Sequence, residues 1–457
     1  MPSADGDGAG AAPAADTIGA VATPPGRGGI GVVRVSGAAV PAIARAVVGQ
    51  LPAPRRASLR SARDASGAVI DRGIVLYFPA PDSYTGETVL EFQGHGGPVV
   101  MQAVLAAFLD AGARLAAPGE FTQRAYLNGR LDLAQAESVA DLIDAASREA
   151  ARSALRSLSG EFSNVIDALV ASLTELRALT EAMLDFPEEE VDTLHRDDAH
   201  ARLERVRATL AEVVVKSRQG SLLRNGVNVV LAGRPNVGKS SLLNRLAGEE
   251  RAIVTALPGT TRDALRESIQ IEGVPINIID TAGLHESRDE VEQLGIARAR
   301  RELAQADVVL AVFDAAAGLM PEDRAVLAQL PPEGHQVHVY NKIDLVPVGA
   351  AVVGSGGAAE VFVSAKTGAG LETLRRKLLE TVGWQAHGEG VFLARERHLR
   401  ALALAQRHLA VAAQQEGRWE FFAEELRAAQ VALSEITGKF TADDLLGEIF
   451  ARFCVGK

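Results

Sequence analysis

The stretch Gly233-Arg-Pro-Asn-Val-Gly-Lys-Ser240 decides how the centre of this chain folds. Its glycines let the backbone wrap a phosphate chain with the N–H groups pointing inward, Lys239 can reach the outer phosphates, and the Ser240 hydroxyl can bind Mg²⁺. Apolar residues 227–231 predict a strand before the loop, and a helix is predicted from Lys239, so a helix N-terminus faces the anion. The pattern therefore predicts a nucleotide site that contains Asn236, Val237, Gly238, Lys239, Ser240 and Ser241.

Three later segments indicate which nucleotide is bound. An apolar run at 276–279 ends in Asp280-Thr281-Ala282-Gly283, where an aspartate can hold the Mg²⁺ shell and a glycine N–H can meet the γ-phosphate. A second run at 337–340 leads to Asn341-Lys342-Ile343-Asp344, and Asp344 can accept hydrogen bonds from guanine N1–H and the 2-amino group. A third ends in Ser364-Ala365-Lys366, whose backbone N–H groups can meet guanine O6. The set predicts GTP as the ligand. It resembles the Ras-like GTPases, and residues 220–384 are expected to form their doubly wound G domain.

Between the first two motifs lies Thr255-Ala256-Leu257-Pro258-Gly259-Thr260-Thr261, which is predicted to be a mobile switch that contacts GTP. Thr261 is predicted to be the second protein ligand of Mg²⁺. Ras-type enzymes orient the attacking water with a glutamine after the Asp-x-x-Gly segment, but Leu284 stands here and forms no side-chain hydrogen bond. Either a weakly hydrolysing switch or a hydrolase with replacement groups fits this sequence. Because no arginine is placed as a finger, a monovalent cation held by Asn236 and the switch carbonyls is predicted, with hydrolysis dependent on K⁺.

Composition limits the class of protein. The chain has 457 residues, enough for about three domains, and no apolar run approaches a membrane span. Residues 1–15 lack a basic region and an apolar core, which predicts a disordered tail rather than a signal peptide. The one cysteine, Cys454, excludes an internal disulfide and fits a reducing cytoplasm. A net charge of −11 argues against broad nucleic-acid binding, so any RNA is expected to be held by a local patch or by a partner.

The regions on either side of the G domain differ in pattern. In residues 131–219, apolar residues from Leu155 to Met183 recur every three or four positions, and residues 385–457 are again helical in pattern. Because each stretch alone would expose an apolar stripe, a discontinuous α-helical bundle with the GTPase inserted is predicted; two independent small bundles are the alternative. Residues 16–130 hold short β-like runs punctuated by Gly and Pro, which predicts an α+β domain. The chain is thus predicted to be a multidomain α/β protein.

Segments outside the G domain carry a closer resemblance. They are Ala22-Thr-Pro-Pro-Gly-Arg-Gly-Gly29, Gln93-Gly-His-Gly-Gly-Pro98, Pro118-Gly-Glu-Phe121, Leu131-Asp-Leu-Ala-Gln-Ala-Glu137 and Phe453-Cys-Val-Gly-Lys457. Together with Asn236-Val-Gly-Lys-Ser-Ser241, they make residues 16–457 similar to the MnmE (TrmE) family of tRNA modification GTPases. The C-terminal signature is unusually specific, since few proteins end this way.

The resemblance implies a homodimer formed through the N-terminal domains, with 5-formyltetrahydrofolate or a related tetrahydrofolate bound at that interface. The folate-contacting positions correspond to Arg34, Glu91, Arg130 and Lys457, and Arg130 stands where some members carry lysine. Within the G domain, the resemblance assigns K⁺ to Asn236, Thr255, Leu257 and Thr260, Mg²⁺ to Ser240 and Thr261, and the orientation of the attacking water to Glu292. Cys454 lies near the folate position, either with a chemical role or as inert packing.

The family also implies a substrate and a partner. Its members act with a flavin-bearing protein, MnmG, in a heterotetramer-like complex and place an aminomethyl-type group on C5 of the wobble uridine of certain tRNAs. The folate supplies one carbon, hydrolysis is coupled to the approach of two GTPase domains, and no membrane is involved. Two alternatives are a ribosome-assembly GTPase switch resembling Era or Der, whose flanking modules this sequence lacks, and a folate-dependent transferase that the GTPase domain only regulates.

Overall fold

The computed structural model describes residues 16–185, 193–248, 266–280, 303–330, 335–346, 352–353, 359–385, 390–415, 417–438, 449–450, 453 and 456. The chain divides into two compact units, Met1–Ala140 with Thr437–Lys457, and Asp141–Ile436. Both units contain helices and strands in the described parts, in line with the predicted multidomain α/β protein. No helix in the described ranges is long and apolar enough to span a membrane.

The first unit contains a six-stranded sheet with the strand order β3-β4-β5-β2-β1-β6. Helices α1 and α2 pack on one face, where Val33, Phe92 and Phe108 belong to a shared apolar core. Along β5, buried Leu90 and Phe92 alternate with less buried residues, because side chains of a strand point to opposite faces. The elements are β1 (Ile18–Val21), β2 (Gly28–Ser36), α1 (Val40–Val48), β3 (Ser58–Arg63), β4 (Val69–Phe78), β5 (Val89–Gly96), α2 (Pro98–Asp110), β6 (Arg114–Leu115), α3 (Glu120–Leu127) and α4 (Leu133–Ile143).

The second unit begins with a group of long helices. They are α5 (Arg148–Leu158), α6 (Glu161–Asp185), α7 (Thr193–Asn225), α11 (Glu396–Ala412) and α12 (Trp419–Thr437). Helix α7 packs against α6 and α11, and Phe162, Leu169 and Leu176 are buried at helical spacing along α6. The prediction was wrong at Leu155, which is 56% exposed. The chain turns at Gly160, with φ of 90°, so α5 and α6 are separate helices and α5 buries small residues such as Ala150 and Ala154 instead.

A seven-stranded sheet with the order β12-β13-β11-β10-β7-β9-β8 forms the rest of this unit. Its four central pairings are parallel, and only the edge strands β8 and β12 pair antiparallel. Strand β10 is buried along almost its whole length, as expected for a parallel sheet covered on both faces. The elements are β7 (Val227–Ala232), α8 (Lys239–Ala247), β8 (Arg266–Ile271), β9 (Val274–Asp280), β10 (Val308–Asp314), α9 (Pro321–Leu327), β11 (His335–Asn341), β12 (Val352–Val353), β13 (Ala359–Phe362) and α10 (Leu371–Thr381).

Candidate nucleotide site

The carboxyl ends of the parallel strands bring the predicted nucleotide residues to one edge of the sheet. Gly233 follows β7 directly, while β9 ends at Asp280 and β11 ends at Asn341. Leu231 pairs with Asp280 and Asp314 pairs with Asn341, so the strands reach this edge in register. Open α/β sheets bind ligands at this edge, where strand order reverses.

The loop between β7 and α8 is held in a conformation that side chains would obstruct. Gly233 has φ of 148° and lies so close to β10 that a Cβ would collide with the Val312 carbonyl oxygen. Gly238 has φ of 97°, forms the N-cap of α8, and leaves no room for a Cβ beside the Asn341 amide. Asn236 also has a positive φ, 65°. These backbone constraints explain why glycine is needed at 233 and 238.

Asn341 joins the phosphate loop to the segment that follows β13. Its side chain is buried, its Nδ2 donates to the Val237 carbonyl at 2.9 Å, and its Oδ1 accepts from Ala365 N at 2.9 Å. The Ser364 hydroxyl donates to Asp344 Oδ1 at 2.6 Å. Asp344 remains exposed, with carboxylate lone pairs available to a ligand. Three predicted motifs that are distant in sequence are therefore one connected site.

Two lysines lie against the phosphate loop. Lys239 Nζ donates to the carbonyl oxygens of Gly233 at 2.7 Å and Arg234 at 3.1 Å, which places its charge over the loop. Lys342 Nζ donates to the Asn236 carbonyl at 2.8 Å and to Asp314 Oδ2 at 2.7 Å. Burial raises the pKa of Asp314, but hydrogen bonds from Lys342 and backbone N–H groups outweigh it and leave that pKa below its ordinary 3.8. Asp314 therefore stays ionised and fixes Lys342.

The serines predicted to face the phosphates occupy the first turn of α8. Ser240 and Ser241 are exposed there, beside the unpaired N–H groups of the helix start. A hydroxyl at this position can bind Mg²⁺ that also contacts a phosphate, and the helix N-terminus favours the negative charge. Lys366 is also exposed, and Ile343 is buried beneath the base-recognition segment.

In the first unit, two of the residues implied to contact folate lie on neighbouring strands. Arg34 and Glu91 face each other across β2 and β5, and Arg34 Nε donates to Glu91 Oε1 at 2.9 Å. The Arg34 guanidinium lies over the rings of Tyr84 and Phe121, with centroids 5.5 and 5.7 Å away. In the described residues Arg34 donates only through Nε, so its terminal nitrogens can donate to an anion.

Arg130 and the C-terminal segment belong to the same unit and make their contacts at separate points in it. Arg130 is exposed, and its side chain lies beside Gly86, two residues after Tyr84. Gly456, with φ of 95°, is pressed against the Val21 carbonyl and Ala22. Beside that contact, Val21 and residues 23–28 line a cavity of about 840 Å³ together with residues of α2.

Some predicted residues lie outside the described ranges. They are Thr255, Ala256, Leu257, Pro258, Gly259, Thr260, Thr261, Thr281, Ala282, Gly283, Glu292, Cys454 and Lys457. Asp280 is described only as part of β9. The switch, the K⁺ set apart from Asn236, and the water-orienting acid accordingly stay predictions.

Sequence reasoning missed two acids that support the phosphate loop. Asp314 is the last residue of β10 and Asp323 lies in α9, and the signal for Asp314 was the same as for Asp280, an aspartate at the end of an apolar strand. Asp323 follows Pro321 within Pro-Glu-Asp, a helix-start pattern that predicts a capping acid. Neither pattern reveals which part of the loop the carboxylate meets.

Comparison with known proteins identifies the family. The family model described as MnmE helical domain matches residues 133–454, and that described as GTP-binding protein TrmE N-terminus matches residues 17–130. The chain is 58% identical to the tRNA modification GTPase MnmE of Nitrosospira multiformis over 448 residues, 97% of this chain and 99% of that protein. The chain belongs to the MnmE family. The MnmE protein of Dechloromonas aromatica is likewise 58% identical over 97% of this chain and 99% of its own length.

Membership of the MnmE family confirms the resemblance inferred from the segments outside the G domain. Among solved structures, the chain is similar to a single-substitution variant of Era from Aquifex aeolicus, bound to GDP·AlF₄⁻. That match has 27% sequence identity and a TM-score of 0.28, and it covers 40% of this chain and 66% of that one.

Proposed function

We propose that this member of the MnmE family binds and hydrolyses GTP in the service of tRNA modification. One observation carries the choice of nucleotide: Asp344 is exposed and oriented by Ser364, while Asn341 ties its segment to the phosphate loop. A carboxylate in this position complements the two donors of guanine, N1–H and the 2-amino group, whereas adenine presents no such pair. The phosphate loop and the base-recognition segment then act as one site for a guanine nucleotide.

The substitution Asp344→Asn tests this choice of base. Asparagine fills the same space and can accept from the Ser364 hydroxyl, but it replaces one acceptor with an N–H donor. We expect the affinity for GDP to fall at least tenfold and the affinity for xanthosine diphosphate to rise, because xanthine has an oxygen where guanine has the amine. Glu360→Gln, a charge change behind the site on β13, is the matched control. Unchanged GDP affinity in the Asp344→Asn protein would refute guanine recognition by this residue.

Hydrolysis in this proposal needs ions beside the nucleotide. The residues that would hold Mg²⁺ are Ser240, exposed at the start of α8, and Thr261; Asp280 reaches the same edge of the sheet. Bound Mg²⁺ neutralises phosphate charge. The residues that would hold K⁺ are Asn236, Thr255, Leu257 and Thr260, and the positive φ of Asn236 turns this part of the loop sharply. K⁺ there would supply the positive charge that an arginine finger supplies elsewhere, and Glu292 would orient water.

The tRNA step is proposed from family membership, because the matches to the tRNA modification GTPases cover nearly the whole length of both proteins. The reaction is addition of a carboxymethylaminomethyl or aminomethyl group to C5 of the wobble uridine, carried out with the flavin-bearing partner MnmG and a homodimer of this chain in the cytoplasm. A net charge of −11 supports the need for a partner, since phosphate-rich RNA would be repelled by much of this surface. A regulated folate-dependent transferase stays an alternative that differs in whether hydrolysis is required.

Folate is the proposed one-carbon donor, with Arg34, Glu91, Arg130 and Lys457 as its binding residues. The chemistry of the described residues fits such a ligand. Arg34 has terminal N–H groups for a carboxylate, Glu91 can accept from the amine and amide edge of a pterin, and the aromatic ring of Tyr84 lies beside the Arg34 guanidinium. Arg130, whose side chain lies beside Gly86, would add a second positive charge for an anionic ligand.

A further inference from the structure

A buried ion pair lies behind the phosphate loop, outside the set of residues assigned to the nucleotide. Arg234, the second residue of the loop, places its Nε 3.3 Å from Oδ1 of Asp323. The Asp323 side chain is fully buried, and the Arg234 side chain is 23% exposed. Neither atom has a hydrogen-bond partner among the described residues, so each interacts with the other by electrostatic attraction. A buried carboxylate without its cation would be strongly unfavourable.

The other carboxylate oxygen fixes Asp323 in place. Oδ2 accepts from Met320 N at 3.0 Å and so caps the start of α9. The acid is therefore held by the helix that follows β10, and its charge cannot swing away from the loop. Its negative charge also contributes to the raised pKa of Tyr340, behind burial and the nearby Glu360. Asp323 is thus held rigidly by the start of α9.

Arg234 connects this fixed charge to the residues that meet phosphate. Its carbonyl oxygen accepts from Lys239 Nζ at 3.1 Å, beside the Gly233 carbonyl at 2.7 Å. Gly233 itself is pressed on the Val312 carbonyl of β10. A shift of Arg234 would therefore move the backbone on which the Lys239 ammonium rests. Farther along the loop, Asp314 acts on the Asn236 carbonyl through Lys342.

We propose that Asp323 is a positioning residue for nucleoside diphosphates and triphosphates, acting through Arg234 on the phosphate loop. The inference rests on the proposed binding of guanine nucleotides. It adds an explanation of how the phosphate loop is held in the conformation that receives the β-phosphate. The pair holds the first turn of the loop from behind, so the N–H groups and Lys239 need not reorganise when phosphate binds. Preorganisation of this kind appears as affinity. The base is recognised elsewhere, by Asp344, and its binding does not depend on the pair.

The test measures GTP, GDP and GMP affinities of the full chain by displacement of a fluorescent GDP analogue. Asp323→Asn keeps an oxygen for Met320 N and removes the charge. We expect it to weaken GDP and GTP binding roughly tenfold while leaving GMP, which has no β-phosphate, unchanged. Arg234→Met, at the partly exposed partner, should give the same selective loss. The double variant should lose no more than either single variant, because both break one interaction. Asp307→Asn, which alters a similar bond to Asn228 N at the other end of β10, is the control.

The outcomes separate this inference from the function on which it rests. If the unaltered chain binds no guanine nucleotide, the proposed function fails. If it binds GDP and Asp323→Asn binds GDP as tightly, the positioning role is wrong. Equal losses for GMP and GDP would also overturn it, because a general disturbance of the fold does not depend on the β-phosphate. Should Asp323→Asn fail to fold, the Arg234→Met variant decides by the same GDP-to-GMP ratio.

Discussion

Arg124 is expected to contribute more to the stability of the first unit than any other charged residue described there, and the substitution Arg124→Met tests that. The guanidinium is 10% exposed and uses all three nitrogens. It donates to Glu120 at 2.9 Å, to both oxygens of Glu87 at 3.1 Å, and to the side chain and carbonyl of Asp16 at 2.7 Å. Glu120 and Asp16 keep a second cation, Arg114, but Glu87 has no other cation among the described residues.

The size of the expected destabilisation follows from leaving the Glu87 carboxylate without a cation. Methionine preserves most of the apolar stem of Arg124, so lost packing is small and the cost is the unpaired charge of Glu87, whose side chain is only 16% exposed. Breaking one side of a buried ion pair costs about 3–5 kcal/mol, and the remaining Arg114 bonds favour the lower end, about 3 kcal/mol at pH 7. For a unit of this size that corresponds to a fall in Tm of roughly 6–12 °C.

The pH dependence of stability predicts how the difference between the unaltered chain and Arg124→Met changes on acidification. Burial raises the pKa of Glu120, but hydrogen bonds from Arg114, Ala117 N–H and Arg124 bring it below its ordinary 4.5, and the Arg114 hydrogen bond lowers that of Asp16 below 3.8. A depressed folded pKa means that these acids stabilise the native protein above the unfolded pKa and cease to do so as pH falls through the folded pKa. The unaltered chain therefore loses stability as pH falls below about 4.5. The part of that loss that comes from the Arg124 bonds to Glu120 and Asp16 is absent in Arg124→Met, which already lacks those bonds. The difference between them should shrink on acidification.

Calorimetry of the full chain, with hydrogen exchange to locate the transition in β1, β2 and α3, measures the effect without assuming one transition for all domains. Arg427→Met is the matched control, because Arg427 donates to Glu424 at 2.7 Å on an exposed helix face and its loss should change little. An Arg124→Met protein no less stable than this control, or equally destabilised at pH 7 and at about pH 3, would refute the reasoning.

Two further predictions concern the proposed ligands. Steady-state GTP hydrolysis should be at least tenfold faster in K⁺ than in Na⁺ at equal ionic strength, because a cation at Asn236 must match the spacing of its oxygen ligands; equal rates would count against the cation site. Arg34→Ala should weaken 5-formyltetrahydrofolate binding at least tenfold in equilibrium dialysis through loss of the carboxylate contact, while Arg60→Ala, on β3 of the same sheet, should bind normally; unaltered affinity in the Arg34→Ala protein would remove Arg34 from the site.

Much of the fold could be predicted because the governing signals are local. The runs before Gly233 and before Asn341 are short and bounded by polar residues. The first is buried along almost its whole length and the second buries alternate residues, and because both are strands of a parallel sheet their ends meet at one edge. Gly233 and Gly238 could be predicted because both adopt a positive φ, which glycine tolerates, and glycine can be read directly from the sequence. Leu155 shows where this reasoning fails. Helical spacing continued across Gly160, but the turn there starts a new helix with a different buried face.

The charged pairs could not be predicted, because their partners are far apart in sequence and their residue types are common on any surface. Arg124 and Asp16 are separated by 108 residues, and nothing in their neighbourhoods distinguishes them from the exposed pair Glu424 and Arg427. Arg234 presents the same difficulty inside a recognised motif, since the pattern leaves its position open. Burial of Asp323 removes that freedom: a fully buried acid requires a cation, and the residue that supplies it belongs to the phosphate loop. Phosphate binding by the loop, which the motif predicts, thus depends on the contact between Arg234 and Asp323, which the motif does not predict.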